Sequence, residues 1–389
     1  MSLNIKLQPV VLRWVRERAG LSPTALADKL DIDSDKVEGW ERSGEITFSL
    51  AEKIARKTHV PLGSLFLSEP IAEELPIPDL RTLRGANVQR PSPDLLDCIE
   101  GSQIRQDWYR EYLISEGEQP LDFVGSISLE TPQDIAAERI RKQVGFQSEI
   151  RLRAETWEKA LLLQMEQIEE SGVLVIRNSV VGANTRRPLS VAEFRGFALA
   201  DDYAPLVFVN GADGKAAQMF TLAHELVHIW IGESGVSNLQ QTFAPGYGIE
   251  RFCNAVAAKV LLPDEEVEEL WPQARNKESP WEWLGKRFKL SSLVILRRLL
   301  DLRIISRPLF ERAYRQQEEK FAQIEARTSQ KGGDYYSAQR YRVGARLARA
   351  VIESTSEGRT PFREALNLLG MKKAQTFERF AKEQFNFSR

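Results

Sequence analysis

The residues best spaced for chemistry are His224-Glu225-Leu226-Val227-His228. On a helix, positions i and i+4 share a face, so both imidazoles can reach one tetrahedral zinc ion at about 2.0–2.1 Å. Glu225 is not expected to ligate. Beside the ion it can take a proton from water and pass it to a leaving amine, the general-base work of peptide hydrolysis. The chain has three histidines; two lie in this motif and the third, His59, lies far upstream. Residues 218–230 are otherwise strongly apolar, and two imidazoles and a carboxylate are costly there unless paired or bound to a cation.

A catalytic zinc needs a third protein ligand, and residues 249–263 supply candidates. Glu250 follows His228 by 22 residues, enough for a loop and a returning helix. Glu250, Cys253 and Asn254 share a helical face by their i, i+3, i+4 spacing. The reading adopted is Glu250 as ligand, with Asn254 supporting the site from behind. Cys253 is the rival, as a zinc-binding thiolate; its other reading is a small buried apolar residue. Charge also develops on the carbonyl oxygen during peptide hydrolysis. Tyr247, in the Pro245-Gly246-Tyr247-Gly248 loop just before Glu250, is the candidate to stabilise it.

These residues need elements to hold them. A short β-branched run at 173–176, with further candidates at 194–199 and 206–209, predicts three strands of a small sheet, packed on the helix that carries the motif. Helical patterning is expected from 94 to 115, 132 to 144, 154 to 171, 281 to 288, 293 to 301, 361 to 369 and 374 to 385. Residues 1–67 read as a run of short helices, with Ser22-Pro23 as a cap followed by proline at the first helical position. A second short helix is expected from Ser34 to Arg42, ended by Ser43-Gly44. Residues 68–93 hold Pro70, Pro76, Pro78, Pro91 and Pro93 and predict an extended, semi-rigid linker.

The N-terminal order is that of a helix-turn-helix with 34–42 in the recognition position. Leu21-Ser22-Pro23-Thr24-Ala25-Leu26-Ala27 and Val37-Glu38-Gly39-Trp40-Glu41-Arg42-Ser43-Gly44 resemble the Xre or Cro-like family of DNA-binding domains. Ser34, Lys36 and Arg42 are the candidate DNA contacts. Asp31, Asp33, Asp35 and Glu38 lie among them and would repel phosphates, and Pro23 stands where many relatives carry glutamine. Contact with another protein is the competing reading of this module.

Thr221-Leu222-Ala223-His224-Glu225-Leu226-Val227-His228, then Ile249-Glu250-Arg251-Phe252-Cys253-Asn254 leading to Leu261-Leu262-Pro263, resemble the ImmA/IrrE metallopeptidases over about residues 150–300. Residues 205–210 fit the same family, and Val256 departs from it, standing where an aromatic is common. The resemblance implies one zinc per chain on His224, His228 and Glu250, with Glu225 as base. It further implies site-specific cleavage of a repressor-type helix-turn-helix regulator.

Composition is consistent with this reading. The chain has 389 residues, 42% of them hydrophobic and 28% charged, which predicts a globular protein of two or three domains. No apolar run of membrane-spanning length occurs, the first residues lack a secretory pattern, and two cysteines are too few for a disulfide scaffold. The expected address is the cytoplasm. Net charge is −2 overall, but residues 285–389 carry +12, residues 1–67 carry +1, and residues 68–284 therefore carry −15. Either the acidic middle and basic tail attract one another, or the tail meets an acidic partner such as nucleic acid.

The expected organisation is an all-α helix-turn-helix domain over 1–67, a linker over 68–93, an α+β zincin-like peptidase domain over 94–289, and a basic all-α region over 290–389. The alternative function is a transcriptional or antitoxin-like, phage-type regulator whose zinc domain senses a signal without cutting.

Overall fold

A computed structural model of the chain describes residues 3–71, 75–79, 91–146, 153–237, 248–325 and 335–386. These fall into two compact units, one running to Pro76 and taking in 91–99, the other holding 77–79 and the residues from 100 onward.

In the first unit, strand β1 (Asn4–Lys6) pairs antiparallel with β2 (Glu45–Thr47), around helices α1 (Pro9–Arg18), α2 (Pro23–Leu30), α3 (Ser34–Ser43) and α4 (Phe48–Thr58). The Ser22 side chain accepts the Ala25 N–H at 3.0 Å and caps α2, and Thr47 caps α4 through the Leu50 N–H. Helix α3 stops at Gly44, at φ 73°, where a Cβ would come within 2.1 Å of the Leu7 carbonyl oxygen. Val11, Val15, Leu26, Val37, Ala51, Ile54 and Leu65 pack the centre. Beside them Arg16, 8% exposed, grips the Glu41 carboxylate through two of its nitrogens and donates to the Leu21 carbonyl.

The second unit is built on a four-stranded mixed sheet in the order β3–β7–β6–β8. Strand β3 (Leu174–Asn178) runs parallel to β7 (Leu206–Asn210), and β6 (Gly196–Leu199) runs antiparallel to both β7 and β8 (Gly235–Ser237). A two-stranded ribbon of β4 (Val180–Val181) and β5 (Asn184–Pro188) follows β3. β7 reads Leu-Val-Phe-Val-Asn, and all five residues are buried, as a strand covered on both faces requires.

Helix α5 (Pro93–Ser115) runs into this unit, followed by α6 (Gln133–Val144) and α7 (Trp157–Glu170). Helix α8 (Lys215–Ile231) lies against β6 and β7 and packs on α9 (Gly248–Leu261). The C-terminal end of α8 is tied down: Gly125 and Ile127 donate to the carbonyls of Ile229 and Trp230, and Phe123 stacks on Trp230 at 4.3 Å. None of the described helices is long and apolar enough to cross a membrane.

Two features add to the reading of the sequence. The first lies in the proline-rich linker. Ile77 is buried, Pro78 O accepts the Val236 N–H at 3.1 Å, and Asp79 bridges Val236 in parallel, so this stretch is pinned to the β8 edge. The unpaired N–H of a strand edge is what captures it. The second concerns the basic tail, whose helices α10 (Tyr335–Val343), α11 (Ala345–Ser356) and α12 (Phe362–Leu368) belong to the second unit, with α10 and α11 packed on β3. Arg346 donates to the Tyr109 hydroxyl at 2.7 Å and to the Glu169 carbonyl at 3.1 Å, Arg340 faces Glu166, and Arg359 pairs with Glu116. Several tail arginines thus bond to the acidic middle of the same chain.

Candidate metal centre

His224, Glu225 and His228 occupy consecutive turns of α8 and are wholly buried, and Glu250 reaches them from the first turn of α9. His224 Nε2 and His228 Nε2 lie 3.1 Å apart. Glu250 Oε1 is 3.1 Å from His228 Nε2, and Oε2 is 3.4 Å from His224 Nε2. A tetrahedron with zinc–ligand bonds of 2.0–2.1 Å has edges of about 3.3–3.4 Å. The two imidazole nitrogens, and each carboxylate oxygen with the imidazole it faces, are spaced close to the edge length of such a tetrahedron. Among the described residues this is the one group of three or more His, Cys, Asp or Glu side chains able to hold a metal ion.

The surroundings fit a cation. Asn254 Oδ1 lies 3.0 Å from His224 Nδ1, which places the proton there and leaves the Nε2 lone pair aimed at the shared point. Burial opposes the charge on His224, but the Glu250 carboxylate outweighs it and raises the imidazole pKa. Burial lowers that of His228. Glu250 is also desolvated, yet the two imidazoles hold its carboxyl well below the usual range. Such a carboxylate stays ionised and ready to ligate.

Glu225 behaves differently. Burial, reinforced by the Glu250 charge and opposed by His224, pushes its pKa up to about 8. Neither of its carboxylate oxygens makes a hydrogen bond of ordinary geometry, nor do the Thr221 and Ser237 hydroxyls around it or His228 Nδ1, all of them buried. The Ser237 hydroxyl still lies close enough to draw the Glu225 pKa down a little. A buried carboxylate flanked by unfilled hydroxyls leaves polar capacity for a water or a substrate group.

A close approach makes this arrangement possible. Gly196 on β6 lies opposite Ser237 on β8. A Cβ at Gly196 would lie 2.5 Å from Thr221 Cγ2, 2.9 Å from Phe208 O and 3.0 Å from Glu225 Oε1. Thr221, Ser237 and Gly196 are thus site neighbours that spacing did not reveal; the one available signal was a glycine inside a strand.

The other candidates resolve as follows. Cys253 is wholly buried in the core, lies outside the ligand group, and burial pushes its thiol well up, so it takes the apolar reading. Tyr247 lies outside the described residues. Ser34, Lys36 and Arg42 lie on α3 in the first unit, with Lys36 and Arg42 exposed alongside Asp35 and Glu38.

Comparison with known families bears on the same segment. Residues 343–383 match a domain of unknown function (DUF8813), and no curated protein matches the chain. Residues 168–300 match the Peptidase_M78 family, described as an IrrE N-terminal-like domain. The segment similar to that family is the one carrying His224, Glu225, His228 and Glu250, which supports a metallopeptidase-type function of the IrrE/ImmA kind.

Proposed function

We propose that the chain is a one-zinc endopeptidase with a regulatory role. The observation that carries this reading is the convergence of His224 Nε2 and His228 Nε2, 3.1 Å apart, on the Glu250 carboxylate, whose two oxygens lie 3.1 Å from His228 Nε2 and 3.4 Å from His224 Nε2, beside the wholly buried Glu225. His224, His228 and Glu250 would hold the ion. Zinc, when bound, supplies Lewis-acid polarisation of the scissile carbonyl and makes a bound water more acidic.

The remaining work falls to the chain. Glu225 takes a proton from the attacking water and delivers it to the departing amine. Burial raises its basicity toward the range where a carboxylate can both accept and release a proton near neutral pH. Asn254 fixes the His224 tautomer, and the enclosing apolar helices exclude bulk water.

The substrate in this reading is a repressor-type regulator, as the family resemblance implies. The first unit is read as an Xre-like helix-turn-helix module that recruits either that regulator or DNA. Substituting Glu225→Gln keeps the shape but removes the base. The variant is expected to bind zinc at one equivalent and to lose cleavage of a co-expressed repressor, scored by mass spectrometry. Retained cleavage would end the catalytic reading, and zinc bound by a wild-type chain that cuts nothing would favour a sensor. A shift assay of the full chain on operator DNA, repeated as salt rises, separates the two roles of the first unit, since DNA binding must weaken with salt.

A further inference from the structure

Strand β8 is an edge strand one step from the candidate base. Its inner edge is used by β6: Arg195 N–H donates to Ser237 O at 3.2 Å, and Phe197 stands opposite Val236. The Gly196–Ser237 pair beside it abuts Glu225. Its outer edge offers the Val236 N–H, and a strand added there would lie about 4.8 Å farther out, at the spacing of neighbouring strands. An exposed edge of this kind recruits an extended peptide through main-chain hydrogen bonds.

That position is already filled from within the chain. Pro78 O takes the Val236 N–H, Asp79 pairs with Val236 in parallel, and the Ile77 side chain is buried, 7% exposed. The sequence suits a segment that fills an edge without being processed. Pro76 and Pro78 preset an extended backbone, and neither has an N–H, so the Ile77–Pro78 bond is a tertiary amide.

We propose that the outer edge of β8 is the surface on which an extended peptide docks beside the metal centre, and that residues 77–79 hold this edge against it in cis. The proposal rests on the peptidase reading. Binding of a peptide substrate then requires Ile77–Asp79 to leave Val236, so the two compete for one strand edge.

The test uses the full, zinc-loaded chain, two probes and one substitution. Acetohydroxamic acid reaches zinc without needing a strand edge, whereas an apolar tripeptide hydroxamate needs both. Ile77→Asp puts a carboxylate at this buried position and should loosen residues 77–79. Burial of an isoleucine corresponds to a release of about 10- to 100-fold. The tripeptide hydroxamate should therefore bind the variant tighter by about that factor, with acetohydroxamate unchanged. Amide exchange at Val236 should quicken in the variant and slow again when the tripeptide is added. Ile77→Ala, gentler on folding, should show the same pattern at reduced amplitude. Unchanged tripeptide affinity with a freed Val236 amide would overturn the proposal, as would a Val236 amide that stays protected in both variants or self-cleavage of the wild type within 77–79. Failure of acetohydroxamate to bind any form would instead remove the zinc reading, and the proposal with it.

Discussion

Gly196 offers the sharpest test of how the sheet serves the candidate base. Replacement by alanine adds one methyl group, 2.5 Å from Thr221 Cγ2, 2.9 Å from Phe208 O and 3.0 Å from Glu225 Oε1. Phe208 O is main chain and cannot step aside, so β6 or α8 must move. Overpacking of a closed core costs about 1–3 kcal/mol, and the upper half of that range is expected here because all three contacts are short. The tightest is with the Thr221 methyl, which Thr221→Ser removes. Thr221→Ser should cost about 1 kcal/mol alone, yet combined with Gly196→Ala it should recover about 1 kcal/mol, a favourable coupling between touching residues. Denaturant unfolding of the four chains gives the cycle. Zinc content should stay at one equivalent in Gly196→Ala, because Glu225 lies outside the candidate ligand group, while cleavage falls at least tenfold as the carboxylate is displaced. A Gly196→Ala chain as stable as wild type, or equal losses with and without Thr221→Ser, would refute the reasoning.

Three further outcomes follow from other parts of the molecule. Zinc at 100 times its dissociation constant should stabilise the wild type by about 2.7 kcal/mol, and Glu250→Gln should abolish that increment, read as the difference in melting with and without chelator. Burial raises the Glu169 pKa from 4.5 to about 7, against opposing contributions from the Arg346 amide and Arg340. The folded chain therefore holds a proton that the unfolded chain loses, and this stabilising contribution is full below pH 4.5 and lost as pH rises through 7. Glu169→Gln should flatten up to about 3 kcal/mol of that decline in a stability–pH profile. In the first unit, Glu41→Ala leaves Arg16 buried without its carboxylate, and should destabilise that unit by about 3–5 kcal/mol, followed by the fluorescence of the nearly buried Trp14.

Local pattern carried a good deal of this molecule. The i, i+4 histidines with Glu225 could be read directly, because a helix of fixed period places them on one face whatever surrounds it. Glu250 and Asn254 could be named as candidates from their shared face, and the apolar runs that became β3, β6 and β7 were visible because buried strands are continuously hydrophobic. The opposite charges of the middle and the tail suggested attraction within the chain, and the Arg346, Arg340 and Arg359 contacts supply particular pairs.

What the sequence could not carry is whatever depends on two distant segments meeting. Cys253 and Glu250 share a helical face, and only the packing of α9 on α8 brings the carboxylate to the imidazoles and leaves the thiol in the core. Gly196 reads as a weak strand residue until β6 is laid against Thr221 and Glu225. Residues 77–79 read as connector, because proline density reports backbone stiffness and says nothing about which strand edge is unpaired nearby. Periodicity and residue chemistry are local and survive in one dimension. Proximity and desolvation are set by how α8, β6, β8 and the linker come together, and those decide which polar groups are left without partners.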